Sequence, residues 1–192
     1  MLIQIQSIKH RKVKNFRNQN YIIPKYDKKI LINEANLFCD WYAKNNLSKL
    51  RKKRFCKKFK KIIKELTLKL KLKDNIFVHR DFHVSNLMSV KNQIGLIDSQ
   101  DALIGNKAYD LASLIDDVRL KTSYSFKEKI FKFYTKKQKN LDIKKFKNDF
   151  EILSVLRNLK IIGIFTRLAL RDRKKNYRRF IPNPWQLINM RI

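Results

Sequence analysis

Glycine, proline and cysteine are all scarce: the 192 residues include three glycines, three prolines and two cysteines. The cysteines, Cys39 and Cys56, are too few for a disulfide framework and have no metal-ligand spacing to any histidine, so we expect reduced thiols. No apolar run is long enough for a signal peptide or a membrane span. We therefore expect a cytoplasmic protein with no membrane partner.

Acidic residues are also few, 16 Asp and Glu against 46 Lys and Arg, which gives a formal net charge of +30. An excess of this size attracts nucleic acids and anionic surfaces. However, the basic residues are mostly lysines spread through almost every segment, beside many Asn, Ile and Phe, as an AT-rich coding bias would produce. This distribution favours a generally basic surface, and nucleic acid is not the expected partner.

Apolar residues make up 44% of the sequence, enough for a hydrophobic core, and the length suits one domain over residues 1–192. Apolar residues at three- and four-residue steps predict a mainly α-helical α+β fold. We expect a helical segment over 1–73, a catalytic and metal-binding core over 74–119 and C-terminal helices over 120–192. Predicted helices span 26–46, 50–72, 108–119, 126–139 and 143–170, the last broken near Gly163. Predicted strands span 76–78, 87–90 and 94–97, the last two as a small hairpin, with Gly105 in a loop and an extended tail through Pro182 and Pro184.

The segment 74–117 differs from the rest of the chain in charge. It holds seven of the sixteen acidic residues and two of the three histidines, but only three basic side chains. Carboxylate oxygens are the ligands that Mg²⁺ prefers. The enrichment indicates that a metal site, and with it the function, lies in this segment.

Within it, the string from His79 to Asn86 (HRDFHVSN) is followed by the predicted hairpin, which ends at Asp98. An Asp, an Asn five residues later and a second Asp after a hairpin is the spacing of the kinase catalytic loop. A lone Asp and Asn in a loop often only satisfy turn amides. Here a preceding apolar strand, the loop, the hairpin and the second Asp coincide, which favours phosphoryl transfer.

The chemistry of phosphoryl transfer explains these residue types. A carboxylate must orient and deprotonate the acceptor hydroxyl, and metal ions must neutralise the triphosphate. We expect Asp81 to be the catalytic base, and Asn86 and Asp98 to bind Mg²⁺ and through it ATP. Arg80 either pairs with a nearby carboxylate or faces solvent.

Residues 79–87 resemble the motif of the aminoglycoside phosphotransferase and choline kinase family. Residues 97–102 and 105–117, together with 34–42 and 159–173, resemble more closely the bacterial cell-wall sugar kinases that phosphorylate N-acetylmuramate and N-acetylglucosamine at the anomeric hydroxyl. This resemblance implies the C-terminal lobe of the protein kinase-like fold, with ATP, Mg²⁺ and an amino sugar as ligands. Ser99 departs from it, since an aromatic residue is usual at that position.

The resemblance also implies supporting roles. Asp110 would brace the catalytic loop by hydrogen bonds, although from its position alone it could be a first-turn charge favoured by the helix dipole. His79 would support the loop. His83 and Asp101 are possible substrate-binding residues, and Asp101 could equally cap its loop. Glu34 and Trp41 could line a sugar pocket, but a Trp on an amphipathic helix more often belongs to the core, so neither is assigned to the site.

Kinases of this class also use a phosphate-covering loop and a strand lysine from an N-terminal lobe. Neither is visible here: the 78 residues before His79 contain no glycine and are predicted to be helical. We therefore expect the N-terminal lobe to be missing, which would make the chain a fragment, a partner of a second polypeptide, or inactive. A protein kinase is disfavoured because Ser-Gln, not Phe-Gly, follows Asp98. Another acceptor, of aminoglycoside or choline type, and an inactive nucleic-acid-binding or scaffold protein remain the alternatives.

Overall fold

Helices make up most of the chain, and short antiparallel strand pairs lie between them. The computed structural model describes residues 1–9 and 11–192. The helices are α1 (Leu2–Gln6), α2 (Lys28–Leu37), α3 (Lys44–Asn46), α4 (Lys49–Leu68), α5 (Ala108–Ile115), α6 (Tyr124–Lys136), α7 (Ile143–Leu170) and α8 (Pro182–Arg191). The strands are β1 (Lys12–Lys14), β2 (Asn20–Ile22), β3 (Asp74–Val78), β4 (Leu87–Val90), β5 (Gln93–Leu96) and β6 (Leu103–Asn106), paired β1–β2, β3–β6 and β4–β5. The predicted α+β, mainly helical fold is confirmed, with a hairpin after the predicted catalytic loop, residues 79–86.

Helix α7 forms the centre of the fold. Its 28 residues are buried along most of their length, and α2, α5 and α8 pack against it. A helix that is apolar on most sides is stable only when other elements surround it. The predicted break at Gly163 is wrong, because α7 is continuous there. Gly163 instead permits close packing, since an added Cβ would lie 2.5 Å from the Leu37 carbonyl oxygen.

The prediction that residues 1–73 are helical is wrong for residues 12–22, which form the β1–β2 hairpin. Its turn depends on asparagine. Asn15 Oδ1 accepts hydrogen bonds of 2.9 Å from the backbone N–H groups of Arg17 and Gln19, and Asn18 has a positive φ of 59°. Asn side chains stabilise turns by such bonds and tolerate left-handed backbone.

Helix α2 also starts later than predicted and changes form at its end. Asp27 caps it by accepting a hydrogen bond from Ile30 N, and α2 continues through a π-helical turn, Phe38–Ala43, into α3. Short polar residues at this position satisfy the free N–H groups of the first turn. Tyr26 precedes the helix and hydrogen-bonds to the backbone of β6.

The segment predicted as a loop around Gly105 is strand β6, which pairs antiparallel with β3. Its four residues were too few to show an alternating pattern. Gly105 lies against Tyr26, where an added Cβ would be only 2.9 Å from the Tyr26 Cβ. β3 and β6 together form the base from which the catalytic loop and α5 extend.

The extended tail is also a wrong prediction. A 3₁₀ helix over Lys175–Phe180 leads into α8, whose first residue is Pro182. Proline is compatible with the first turn of a helix, where its missing N–H costs nothing. Helix α5 is shorter than predicted, ending at Ile115 rather than 119.

Both cysteines are free thiols, as expected, and burial raises the pKa of Cys39. Within residues 1–9 and 11–192, no helix is both long and apolar enough to cross a membrane.

Candidate active site

Asp81, Asn86 and Asp98 line one cavity of about 330 Å³. Asp81 lies in the loop after β3, Asn86 ends a 3₁₀ turn over Val84–Asn86, and Asp98 follows β5. The β4–β5 hairpin folds back on itself, so that its end lies beside its beginning. Ile97 N donates a 3.1 Å hydrogen bond to the Asn86 carbonyl oxygen. The hairpin therefore brings residues 86 and 98 together although twelve positions separate them.

The polar atoms of these three side chains are largely uncommitted. The Asp81 carboxylate and Asn86 Oδ1 accept no hydrogen bond from any residue that the structure describes. Asn86 Nδ2 donates to the Asp81 carbonyl oxygen at 2.9 Å, which fixes the amide plane. Asp98 accepts a hydrogen bond from Gln100 through Oδ1 only, so its other carboxylate oxygen is available.

The backbone around these residues is held in unusual conformations. Arg80 and Asp98 have positive φ angles of 73° and 68°. Side-chain-bearing residues adopt this region rarely and at a cost of about 1–3 kcal/mol, and it persists where surrounding contacts enforce it. Arg80 directly precedes Asp81, the predicted base, and Asp98 is a predicted Mg²⁺ ligand.

Asp110, fully buried in the first turn of α5, supplies part of that enforcement. Its Oδ2 accepts from His79 N at 2.7 Å and its Oδ1 from Arg80 N at 3.0 Å. Burial raises the pKa of Asp110 to about 7, and the two N–H groups partly oppose the shift. The carboxylate thereby ties α5 to the residues directly before Asp81.

His79 is fully buried and ties the catalytic loop to the hairpin end. Its Nε2 lies 3.1 Å from the Ile97 carbonyl oxygen, directly before Asp98. The His79 backbone N–H is bound to Asp110. His79 therefore fixes the segment before Asp81 relative to the segment before Asp98.

Arg80 pairs with a carboxylate, the first of the two alternatives for this residue. Its guanidinium binds Glu34 on α2, and Lys160 Nζ on α7 binds the same carboxylate oxygen at 2.9 Å. Tyr26 donates to the other oxygen. Burial alone would raise the pKa of Glu34, but Lys160, with Tyr26 and Arg80, lowers it. Glu34 is thus committed to this network, and neither it nor Trp41 lines the cavity.

Three basic side chains that the sequence analysis did not single out line the cavity: Arg119, Arg157 and Lys160. Arg157, Lys160, Ile161 and Ile164 are spaced i, i+3, i+4 and i+7 on α7, which places them on one helix face. This mixed stripe inside a mostly apolar helix was a signal that could have identified Arg157 and Lys160, whereas Arg119 lies outside the helix.

His83 lines the same cavity, whereas Asp101 does not. Burial lowers the pKa of His83, and the charges of Arg119 and Arg157 lower it further, which favours the neutral ring. Asp101 is exposed, and its carbonyl oxygen accepts a 3.2 Å hydrogen bond from Arg80.

Asp117 supports the loop from the far end of α5. Its Oδ2 accepts from Val84 N at 3.1 Å, and its Oδ1 accepts from both the backbone and the guanidinium of Arg119. No role for this residue was predicted from the sequence.

The donor set fits Mg²⁺. In the part of the chain that the structure describes, no three His, Cys, Asp or Glu residues cluster as a self-sufficient metal site. Mg²⁺ bound with nucleotide needs only one or two protein oxygens besides phosphates and water. Asn86 Oδ1 and the free oxygen of Asp98 meet that requirement.

The family model of the phosphotransferase enzyme family (APH) matches residues 15–141. The chain belongs to this family. Among curated members, the N-acetylmuramate/N-acetylglucosamine kinase of Neisseria meningitidis serogroup B is 33% identical over 167 residues, covering 84% of this chain and 50% of the relative. The kinases of the same name from Pseudomonas aeruginosa and Caulobacter vibrioides are 31% and 32% identical over 84% and 60% of this chain, covering 49% and 33% of those proteins. The chain spans about half the length of the first two, and the resemblance stated from its motifs is confirmed.

Proposed function

We propose that this chain carries the catalytic base and the metal–nucleotide ligands of a kinase that transfers the γ-phosphate of ATP to a hydroxyl of an amino sugar. The observation that carries the proposal is the position of Asp81, Asn86 and Asp98 on one cavity, each with an uncommitted side-chain oxygen. A base and two hard oxygen ligands are the groups that phosphoryl transfer requires.

In the proposed reaction, the Asp81 carboxylate accepts a hydrogen bond from the acceptor hydroxyl and takes its proton as the hydroxyl oxygen bonds to the γ-phosphorus. The bond between that phosphorus and the β–γ bridging oxygen breaks, and ADP leaves. Asn86 and Asp98 hold Mg²⁺, which when bound neutralises charge on the phosphates. His79 and Asp110 keep these groups in register through the bonds described above.

The acceptor we propose is N-acetylmuramate or N-acetylglucosamine, phosphorylated at the anomeric hydroxyl, with a role in cytoplasmic recycling of cell-wall sugars. The names of the similar kinases support this choice. Acceptors of aminoglycoside or choline type are cationic, and the unpaired guanidinium of Arg157 on the cavity disfavours them.

These 192 residues contain no glycine before Gly95 and hence no glycine-rich phosphate loop ahead of the catalytic segment. Such a loop excludes water and strengthens the electrostatics of a kinase site. We therefore expect this chain by itself to bind MgATP weakly and to show little turnover.

Titration calorimetry of ATP with and without Mg²⁺ tests the proposal. We expect Mg²⁺ to tighten ATP binding, and Asp98→Asn to abolish the Mg²⁺-dependent part, whereas the control Asp101→Asn, outside the cavity, retains it. Identical ATP binding with and without Mg²⁺ would contradict the proposal. Binding that depends only on ionic strength would favour a basic nucleic-acid-binding or scaffold protein, the alternative suggested by the charge of +30.

A further inference from the structure

Arg157 is a buried cation without a hydrogen-bond partner among the residues that the structure describes. It is 4% exposed, it lines the cavity that holds Asp81, and its Nη1 is fully buried and unpaired. A buried charged donor left without an acceptor is costly, because neither water nor protein replaces its hydration. Because Arg157 also lines a cavity, its guanidinium is suited to bind an acceptor carried by a ligand.

The nearby carboxylates do not remove the need for this acceptor. Both oxygens of Asp110 are bound by the backbone of the catalytic loop, and both oxygens of Asp117 are bound by Val84 N and Arg119. Glu34 is bound by Lys160, Arg80 and Tyr26. These acids balance part of the positive charge, but none accepts a hydrogen bond from Arg157. The Asp81 carboxylate, which lines the same cavity, accepts none from it either.

We propose that Arg157, assisted by Arg119 on the same cavity, binds a carboxylate carried by the acceptor, so that the preferred acceptor is an acidic amino sugar. This inference rests on the proposed function. The planar guanidinium fork matches a carboxylate with two parallel hydrogen bonds. Of the two acceptors proposed above, N-acetylmuramate bears a lactyl carboxylate, whereas N-acetylglucosamine has the same sugar ring without it.

The lining of the cavity supports an acceptor as the ligand of Arg157. A volume of about 330 Å³ is at the small end of ligand sites, which span about 300–1,000 Å³, so a molecule whose hydroxyl meets Asp81 also lies near Arg157. Ile161, Ile164 and Phe165 give the same wall an apolar surface for a sugar ring. Asn86 and Asp98 are the groups assigned to the nucleotide, and they flank the β4–β5 hairpin and do not lie on α7.

Binding of each sugar to the 192-residue chain, measured by titration calorimetry or ligand-observed NMR without nucleotide, tests the inference. We expect N-acetylmuramate to bind at least about tenfold more tightly than N-acetylglucosamine, since a hydrogen-bonded charge contributes that much. The methyl ester of N-acetylmuramate, which keeps the lactyl group but not its charge, should bind as the neutral sugar does. Arg157→Gln should remove the preference by weakening only N-acetylmuramate, and Arg157→Lys should retain part of it.

The half-exposed Arg171 at the end of α7, paired with Asp172, provides the matched control, and Arg171→Gln should keep the full preference. Circular dichroism shows whether Arg157→Gln folds. If it does not, Arg119→Gln is the deciding variant, because the Arg119 side chain is one-third exposed and its replacement should disturb folding less. Arg119→Gln should reduce the preference for N-acetylmuramate. Equal affinity of the unaltered chain for the two sugars overturns the inference. So does an Arg157→Gln variant that weakens both sugars equally, which would place the guanidinium on a phosphate or on the shared ring. The test of the proposed function measures Mg²⁺-dependent ATP binding without sugar. A failure of the proposed function is therefore seen in that experiment and can be told apart from a failure of the sugar preference.

Discussion

The buried carboxyl of Asp110 should make stability depend on pH in a direction opposite to that of most acids. Its pKa is about 7 in the folded protein against an ordinary value of 3.8, chiefly because burial disfavours the charge. The native state therefore keeps the proton at pH values where the unfolded chain has lost it. The resulting stabilisation is fully present below the unfolded pKa of 3.8 and is lost as the pH rises through about 7. About three pKa units at about 1.36 kcal/mol each correspond to at most about 4 kcal/mol.

Urea denaturation of the unaltered chain and of Asp110→Asn, over a series of pH values, isolates this contribution from those of other groups. The variant has no titrating group at this position, and its amide N–H faces a backbone N–H of the catalytic loop. The difference in free energy of unfolding, unaltered minus variant, should fall by about 3 kcal/mol between about pH 4.5 and about pH 8.5. A difference that stays constant, or that rises with pH, would refute the assignment of a buried, raised-pKa brace.

Two further substitutions test the packing around the site. Gly163→Ala should lower the free energy of unfolding by about 1–3 kcal/mol, because the added Cβ would overlap the backbone of Leu37. The control Gly95→Ala, whose Cβ would have no atom nearer than 3.8 Å, should change the free energy of unfolding little. Equal effects of the two substitutions in thermal denaturation would contradict the close contact between Gly163 and Leu37. Arg191→Met should cost about 3 kcal/mol, because it removes two hydrogen bonds, of 2.9 and 3.1 Å, from the buried carboxylate of Asp116. Arg191→Lys, which keeps the charge, should cost less in the same denaturation assay. An Arg191→Met variant as stable as the unaltered chain would show that the pair does not stabilise α8.

The sequence predicted those parts of the fold in which pattern and length agree. The amphipathic helices and the β4–β5 hairpin fall into this class, because their apolar spacing is determined locally. Strand β6 was missed because four residues paired to a distant strand carry too little periodicity of their own. Gly163 was misinterpreted because its role depends on the backbone of another helix and not on its own propensity.

The residues of the candidate site also fall into two groups, those predicted from local spacing and those that were missed. Asp81, Asn86 and Asp98 were predicted from spacing along one loop and hairpin, and they line one cavity. Arg119, Arg157 and Lys160 were missed because two of them come from α7, more than seventy residues after the catalytic loop, and nothing local links them to it. Asp117 was also missed, since its bond to Val84 N depends on the turn that ends α5. Residues that reach the site through tertiary packing are those that the sequence does not reveal.

We propose that the side chains of residues 81, 86 and 98 share one metal–nucleotide site. Mn²⁺ substituted for Mg²⁺ in the presence of ATP broadens the NMR signals of nearby nuclei, so it reports directly where the ion lies. We expect broadening of the Asn86 side-chain amide and of the backbone amides of Asp81 and Asp98, and loss of this broadening in Asp98→Asn. Broadening that leaves these three residues unaffected while other parts of the chain respond would show that the ion binds elsewhere.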